Sequence, residues 1–215
     1  MTAGSPSLRM SLRRLRCVVC LTPALLAVGG CQAGMYADNG TGAGFPGHWS
    51  RRVHVEGADR TYRVHPHLYR GARPTAQGRL NLRDQLGIRT IISLRAFHDD
   101  SRAVRELGMS YVRIPLSAWE GRIDDEMIRF LQVVKNPAHG PFYVHCKRGG
   151  DRAGVAIAIY RICVDGWSKD EAVNEMLSED FGFLPFWRNL VDYVRRADAA
   201  KLCREAGLPP PPRRS

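Results

Sequence analysis

The stretch from Pro141 to Val164 constrains this chain more than any other. Pro141–His145 is short and apolar, as a buried strand is. Cys146 follows at once, then Gly149 and Gly150, and Arg152 opens a run to Val164 that is apolar on almost every side. A helix apolar all round has to be buried. A buried strand and a buried helix joined by so tight a loop are the building unit of a sheet covered by helices. The loop itself has a chemistry. Glycines let successive N–H groups turn inward as an anion nest, and the helix N-terminus adds partial positive charge at the same place. The same field stabilises a thiolate at Cys146. Arg152, six residues on, lies across the loop, where its planar fork can hold two oxygens of a phosphate dianion. Lys147, Arg148, Gly149, Gly150 and Asp151 complete the rim expected to bind that anion.

The rest of the chain alternates strand and helix signals. An extended run is predicted over Tyr62–Tyr69, ahead of a turn-like Arg70-Gly71. Pro74 opens a helix to about Leu86, which Gly87 stops. Strands are predicted over Ile88–Leu94 and Ser110–Leu116, and a short helix over Ser101–Leu107. Asp124–Val134 carries Met127, Ile128, Leu131 and Val134 at helical spacing. Further helices are predicted over Lys169–Leu177 and Phe186–Leu202. The fold class that follows is α/β, with a central, mostly parallel sheet flanked by helices.

Both ends read differently. Arg9, Arg13, Arg14 and Arg16 precede an apolar run, Cys17–Gly30, that is too short to span a bilayer. Residues 1–30 therefore read as an export signal. Val28-Gly29-Gly30-Cys31 resembles a bacterial lipobox, which implies cleavage before Cys31, lipidation of its thiol and a membrane-anchored, exported protein. Residues 31–50, rich in Gly and small polar residues, read as a flexible tether. The packed domain is expected over 51–204, with a disordered Pro-rich tail over 205–215. The net charge of +11 favours anionic partners without choosing among them. The six cysteines are too scattered for a disulfide framework, and no histidine or cysteine spacing suggests zinc.

His145-Cys146 and Arg152 resemble the His-Cys-x5-Arg signature of the cysteine phosphatases. With Lys147, Gly149, Asp151 and Gly154 the loop looks like that of the bacterial dual-specificity phosphatases. The resemblance extends through Tyr69–Pro74, Gly87–Arg95, Tyr160–Ile162 and Gly166–Met176, and covers roughly 64–194. It implies a phosphoric monoester hydrolase acting through a phosphocysteine. Cys146 would be the nucleophile and Arg152 the clamp, with no metal or cofactor. The substrate would be a phosphorylated protein, a small phosphoester or a phospholipid. No nucleic acid partner is expected.

Two positions depart from that family. Where many members have Ser or Thr after the arginine, this chain has Ala153, which points to slow breakdown of the intermediate. Where members draw an Asp general acid from a loop before the cysteine, Ala118 sits nearest the usual spacing. Glu120, Asp124 and Asp125 remain as proton donors, with Asp124 slightly ahead; Asp124 also suits a helix N-cap. A phosphate-binding module without efficient turnover is therefore the competing reading, and a rhodanese-type sulfurtransferase a third. Arg70 and Arg95 are expected to support the loop or to pair with core carboxylates. Trp119, Trp167 and Trp187 are expected in the core or a pocket wall.

Overall fold

The computed structural model describes residue 1, residues 46–119 and residues 123–212. Apart from Met1, these lie in one compact unit running from Asp38 to Ser215. The export signal, Cys31, most of the tether, Glu120 and the last three residues fall outside the described residues.

The strands are β1 (Arg51–Arg52), β2 (Tyr62–His65), β3 (Leu68–Gly71), β4 (Thr90–Ser93), β5 (Ser110–Arg113) and β6 (Phe142–His145). They form one sheet in the order β1-β2-β3-β6-β4-β5. β3, β6, β4 and β5 run parallel; β1 and β2 are added antiparallel at one edge. The extended run predicted over Tyr62–Tyr69 is thus a hairpin. Pro66 and His67 make its turn, because Pro cannot donate to a ladder. Arg70 and Gly71, read as a turn, lie inside β3 and pair with β6.

Helices α1 (Ala76–Leu86) and α2 (Ser101–Arg105) follow the predicted pattern. Thr75 caps α1 by accepting from Gly78 N, and Gly87 ends it in the left-handed conformation. Next come α3 (Asp124–Val134), α4 (Asp151–Cys163), α5 (Lys169–Leu177), α6 (Arg188–Arg196) and α7 (Ala199–Glu205). The single helix predicted over Phe186–Leu202 is broken at Ala197-Asp198, where Asp198 accepts from Lys201 N and starts α7 afresh. Asp124 is the first residue of α3 rather than its cap; Ile123 holds the cap position without a side-chain bond.

Alternate residues of the central strands enter opposite layers. Ile91 and Tyr143 pack with Leu82 and Val104 on the α1–α2 side, whereas Ile92, Phe142 and Val144 pack with α3–α7 on the other. α4 buries every residue except Arg152, as its all-round apolar surface predicts. Full burial of each such Ile or Val side chain contributes roughly 1.5–3 kcal/mol, so α4 anchors whatever its N-terminus presents. Beside it, Arg161 grips Glu175 through two bonds of 3.1 and 2.9 Å and Asp165 through one of 2.7 Å, and stacks on Trp167.

The domain edges differ from expectation. Ser50 donates from its N and Oγ to buried Glu175, and Trp49 packs on the core, so the folded unit begins before residue 51. Glu205 is still helical and Ala206 is buried, so packing continues past 204. No helix among the described residues is long and apolar enough to cross a membrane.

Candidate active site

Register brings three strand ends level. Gly71 of β3 and Ser93 of β4 both pair with His145 of β6. Ligands of open α/β sheets bind beyond such carboxyl ends, and Cys146 is the first residue beyond β6. Its thiol lies on the floor of the turn, 1% exposed, and Gly149 N donates to Sγ over 3.2 Å.

The turn is shaped from beneath. Buried Arg70 donates from Nη2 to the carbonyls of Gly149 (2.8 Å) and Gly150 (3.1 Å). With the carbonyls taken from that side, the N–H groups of the turn and of the first turn of α4 are left for the opposite side, where an anion would sit. Burial draws the Arg70 pKa below its ordinary value, while the nearby Glu175 and Cys146 act the other way. Arg70 therefore supports the loop, one of its two expected roles. Gly149 has φ +84°, and a Cβ there would lie 2.5 Å from the Gly71 carbonyl carbon. Only glycine lets the loop sit this close to β3.

Arg152 is half-buried on the rim. Its Nη1 lies 3.5 Å from the carbonyls of Leu94 and Leu116, at the ends of β4 and of the segment after β5. Its other N–H groups make no bond among the described residues. The guanidinium is thus held in place with donors to spare. Lys147 and Arg148 are exposed on the rim, and Gly150 is buried with Gly149. Six of the expected site residues are therefore brought together: Cys146, Lys147, Arg148, Gly149, Gly150 and Arg152.

Two others have different partners. Asp151, expected at the anion, is buried and accepts from Leu184 N over 2.8 Å, tying the 182–184 segment against the loop. Asp124, expected as proton donor, accepts from Tyr193 Oη (2.9 Å) and pairs with Lys201 Nζ (3.2 Å). Neither bond goes to the Cys146 loop. As the first residue of α3, Asp124 is held by α6 and α7, which pack there. Of the remaining acids, Asp125 is exposed on α3 and Glu120 lies outside the described residues.

Some contributors were missed by sequence reasoning. Arg73 donates to Asp100 through Nε (2.9 Å) and Nη2 (2.5 Å), and its backbone N donates to the Lys147 carbonyl. Tyr143 Oη donates to the Ala72 carbonyl (2.8 Å), and Arg60 Nη1 reaches the Arg148 carbonyl (3.3 Å). Arg73 lies inside the quoted Tyr69–Pro74 run, but nothing local marks Asp100 as its partner. Trp119, expected in a wall or the core, is 74% exposed and meets Phe186 and Trp187 edge to face; Trp167 is buried as expected.

Two cavities flank the loop. One of about 200 Å³ is lined by Arg95, Ala96, Phe97, His98, Lys147 and Arg152. The other, about 620 Å³, lies between the 52–60 segment and Ala72, Lys147 and Arg148.

His145 is fully buried, with Nδ1 3.1 Å from the Cys146 carbonyl. Burial lowers its pKa from 6.5 to about 4, outweighing that bond. The unfolded chain then takes up the proton at a higher pH than the folded one does. Stability is expected to fall as the pH drops from 6.5 to about 4, by up to ~3 kcal/mol from this residue. Denaturant midpoints of the parent and of His145→Gln across that window check this. The fall should be shallower in the variant, and equal slopes would remove His145 as its source.

Comparison with known proteins agrees with this geometry. Residues 49–186 match the family model described as DSP-PTPase phosphatase fused to NAD+ kinase. The chain is similar to the dual specificity protein phosphatase TpbA of Pseudomonas aeruginosa, 39% identical over 142 residues, or 64% of this chain. The match spans 62% of the length of that curated relative. The crystal structure of P. aeruginosa TpbA aligns with a TM-score of 0.65 at 32% identity, covering 75% of this chain and 98% of that one. TpbA in complex with pTyr aligns with a TM-score of 0.66. The catalytic domain of the PP-IP phosphatase SIW14 from S. cerevisiae shares the fold, with a TM-score of 0.62 at 20% identity over 72% of this chain and 94% of that one.

Proposed function

The chain belongs to the DSP-type protein-tyrosine phosphatase family, and we propose that it is a phosphoric monoester hydrolase working through a phosphocysteine. The Cys146 thiolate attacks phosphorus, and the bond from phosphorus to the ester oxygen breaks. Arg152 and the loop N–H groups hold the three non-bridging oxygens as charge builds on them. Water then cleaves the sulfur–phosphorus bond, releasing phosphate and restoring the thiolate. The observation that carries this reading is the 3.2 Å contact from Gly149 N–H to Cys146 Sγ, in a turn whose carbonyls Arg70 holds from behind.

The substrate is a protein phosphotyrosine or phosphoserine, or a non-protein phosphoester. The pTyr complex of the TpbA relative supports the first. We assign the leaving-group proton to Glu120 or Asp125, since Asp124 is held by Tyr193 and Lys201. Ala153, buried and without a hydroxyl, favours a second reading, a phosphate-binding module that turns over poorly.

Time-resolved release from p-nitrophenyl phosphate tests these readings together. A burst of about one nitrophenol per chain, then slower steady release of phosphate, is the expected result. Binding of orthophosphate without any burst would leave the binding module instead. With an alkyl phosphate, which needs protonation far more than an aryl one, Asp124→Asn should slow both substrates alike. A selective loss on the alkyl ester would return the acid to Asp124.

The cellular setting rests on the first thirty-one residues. We place the protein outside the cytoplasm, anchored through lipid on Cys31, because a basic front and a short apolar run end in small residues before that cysteine. Labelled fatty acid should enter the full chain but not Cys31→Ala, and the variant should leave the membrane fraction. Equal labelling of both would end this assignment.

A further inference from the structure

Arg95 follows β4 and is only 8% exposed, yet its enclosed Nη1 has no hydrogen-bond partner among the described residues. Of its two expected roles, loop support or pairing with a core carboxylate, the second finds no hydrogen-bonded carboxylate among the described residues. Asp100, the acid whose charge acts on it, is already gripped by Arg73 through two bonds. Two more positive charges, Arg73 and Arg152, also act on Arg95. A buried guanidinium with an unmatched donor among other cations is costly unless an anion completes it.

Beside it lies the cavity of about 200 Å³ lined by Arg95, Ala96, Phe97, His98, Lys147 and Arg152. Lys147 and Arg152 also belong to the rim of the Cys146 loop, so the cavity adjoins that loop. We propose that it is a second anion subsite, and that the preferred substrate is a phosphomonoester with a second phosphate or carboxylate close to the scissile ester. The proposal builds on the phosphate-binding reading of the Cys146 loop and adds a selectivity to it.

The segment after β4, which forms one wall, is tied down at both ends. Arg113 donates to the Ala96 carbonyl, Asp100 N donates to Tyr111 Oη, and Leu94 N donates to the His145 carbonyl. A preformed site loses little entropy on binding. At this volume the cavity is below the ~300–1,000 Å³ typical of whole-ligand pockets, so it suits one small anionic group rather than a second ring. Phe97, 93% exposed, forms the outer lip and offers apolar contact to the carbon link between the two anions. The larger cavity on the other flank mixes Glu56 and Asp59 with its cations, so it lacks this uniform sign.

The test measures affinities on the Cys146→Ser chain, where no turnover interferes. The probes are orthophosphate, an alkyl monophosphate, the bisphosphate of the matching diol and the matching phosphate–carboxylate. The doubly anionic ligands should bind about tenfold tighter than the monophosphate, or more, the size of one charge-assisted hydrogen bond. Arg95→Gln should bring that ratio near one. Lys147→Ala, an exposed change, should lower it too and serves if Arg95→Gln does not fold. If Arg95 only shapes the loop, both ligand classes weaken by one factor and the ratio is unchanged, which overturns the subsite. Loss of orthophosphate binding in the Cys146→Ser parent would overturn it as well. Turnover by the unmodified chain separates the two readings. Tight, selective binding without hydrolysis removes the phosphatase and keeps the subsite. Hydrolysis with no preference for a second anion does the reverse.

Discussion

Cys146→Ser should release no phosphate from an aryl phosphate above background while still binding orthophosphate. The thiol sits on the floor of the turn within 3.2 Å of Gly149 N, and serine preserves that shape with one smaller atom. A hydroxyl near neutral pH is a far weaker nucleophile than a thiolate held by a helix N-terminus and inward N–H groups. The loss should exceed about a thousandfold, as deletions of a nucleophile do. Binding should survive because the groups we assign to the anion, the loop N–H groups and Arg152, are untouched. Retention of most of the rate would show that Sγ does not attack phosphorus.

Arg152→Lys should be nearly as damaging, with a loss of about a hundredfold in kcat/KM, or ~2.7 kcal/mol of transition-state stabilisation. The guanidinium lies near the carbonyls of Leu94 and Leu116 through Nη1 and keeps its remaining donors for a ligand. Lysine retains the charge but neither the plane nor the second prong. An ammonium at the end of a flexible stem cannot hold two oxygens while those carbonyls position it. A drop smaller than tenfold would mean that the loop N–H groups carry the charge without the clamp.

Both effects rest on residues that the local sequence marks. The spacing of Cys146, Gly149, Gly150 and Arg152 is a local pattern, closed within one turn and the start of one helix, so the chain itself dictates which groups converge. The same holds for α4, whose apolar residues on all sides require burial whatever covers them. It holds for α1, bounded by Thr75 and Gly87. Boundaries slipped where a tertiary partner rather than periodicity ended an element. β3 runs on through Arg70 and Gly71 because β6 pairs with it, and the long C-terminal helix breaks where Asp198 caps a new start.

Sequence alone therefore determined the α/β class, the strand–loop–helix unit at Cys146 and the six-residue spacing of a thiol and a guanidinium around that loop. These depend on alternation, glycine placement and helix polarity, all short-range properties of the backbone. Tertiary structure alone decided what the charged side chains around the loop meet. Arg70 supports carbonyls 79 and 80 positions away, Asp151 ties down Leu184, Asp124 is held by Tyr193 and Lys201, and the enclosed Nη1 of Arg95 is unmatched among the described residues. A charge in sequence carries no record of its burial or its counter-charge. Those arise only when the sheet order brings β3, β6 and β4 side by side and their carboxyl ends converge on one loop.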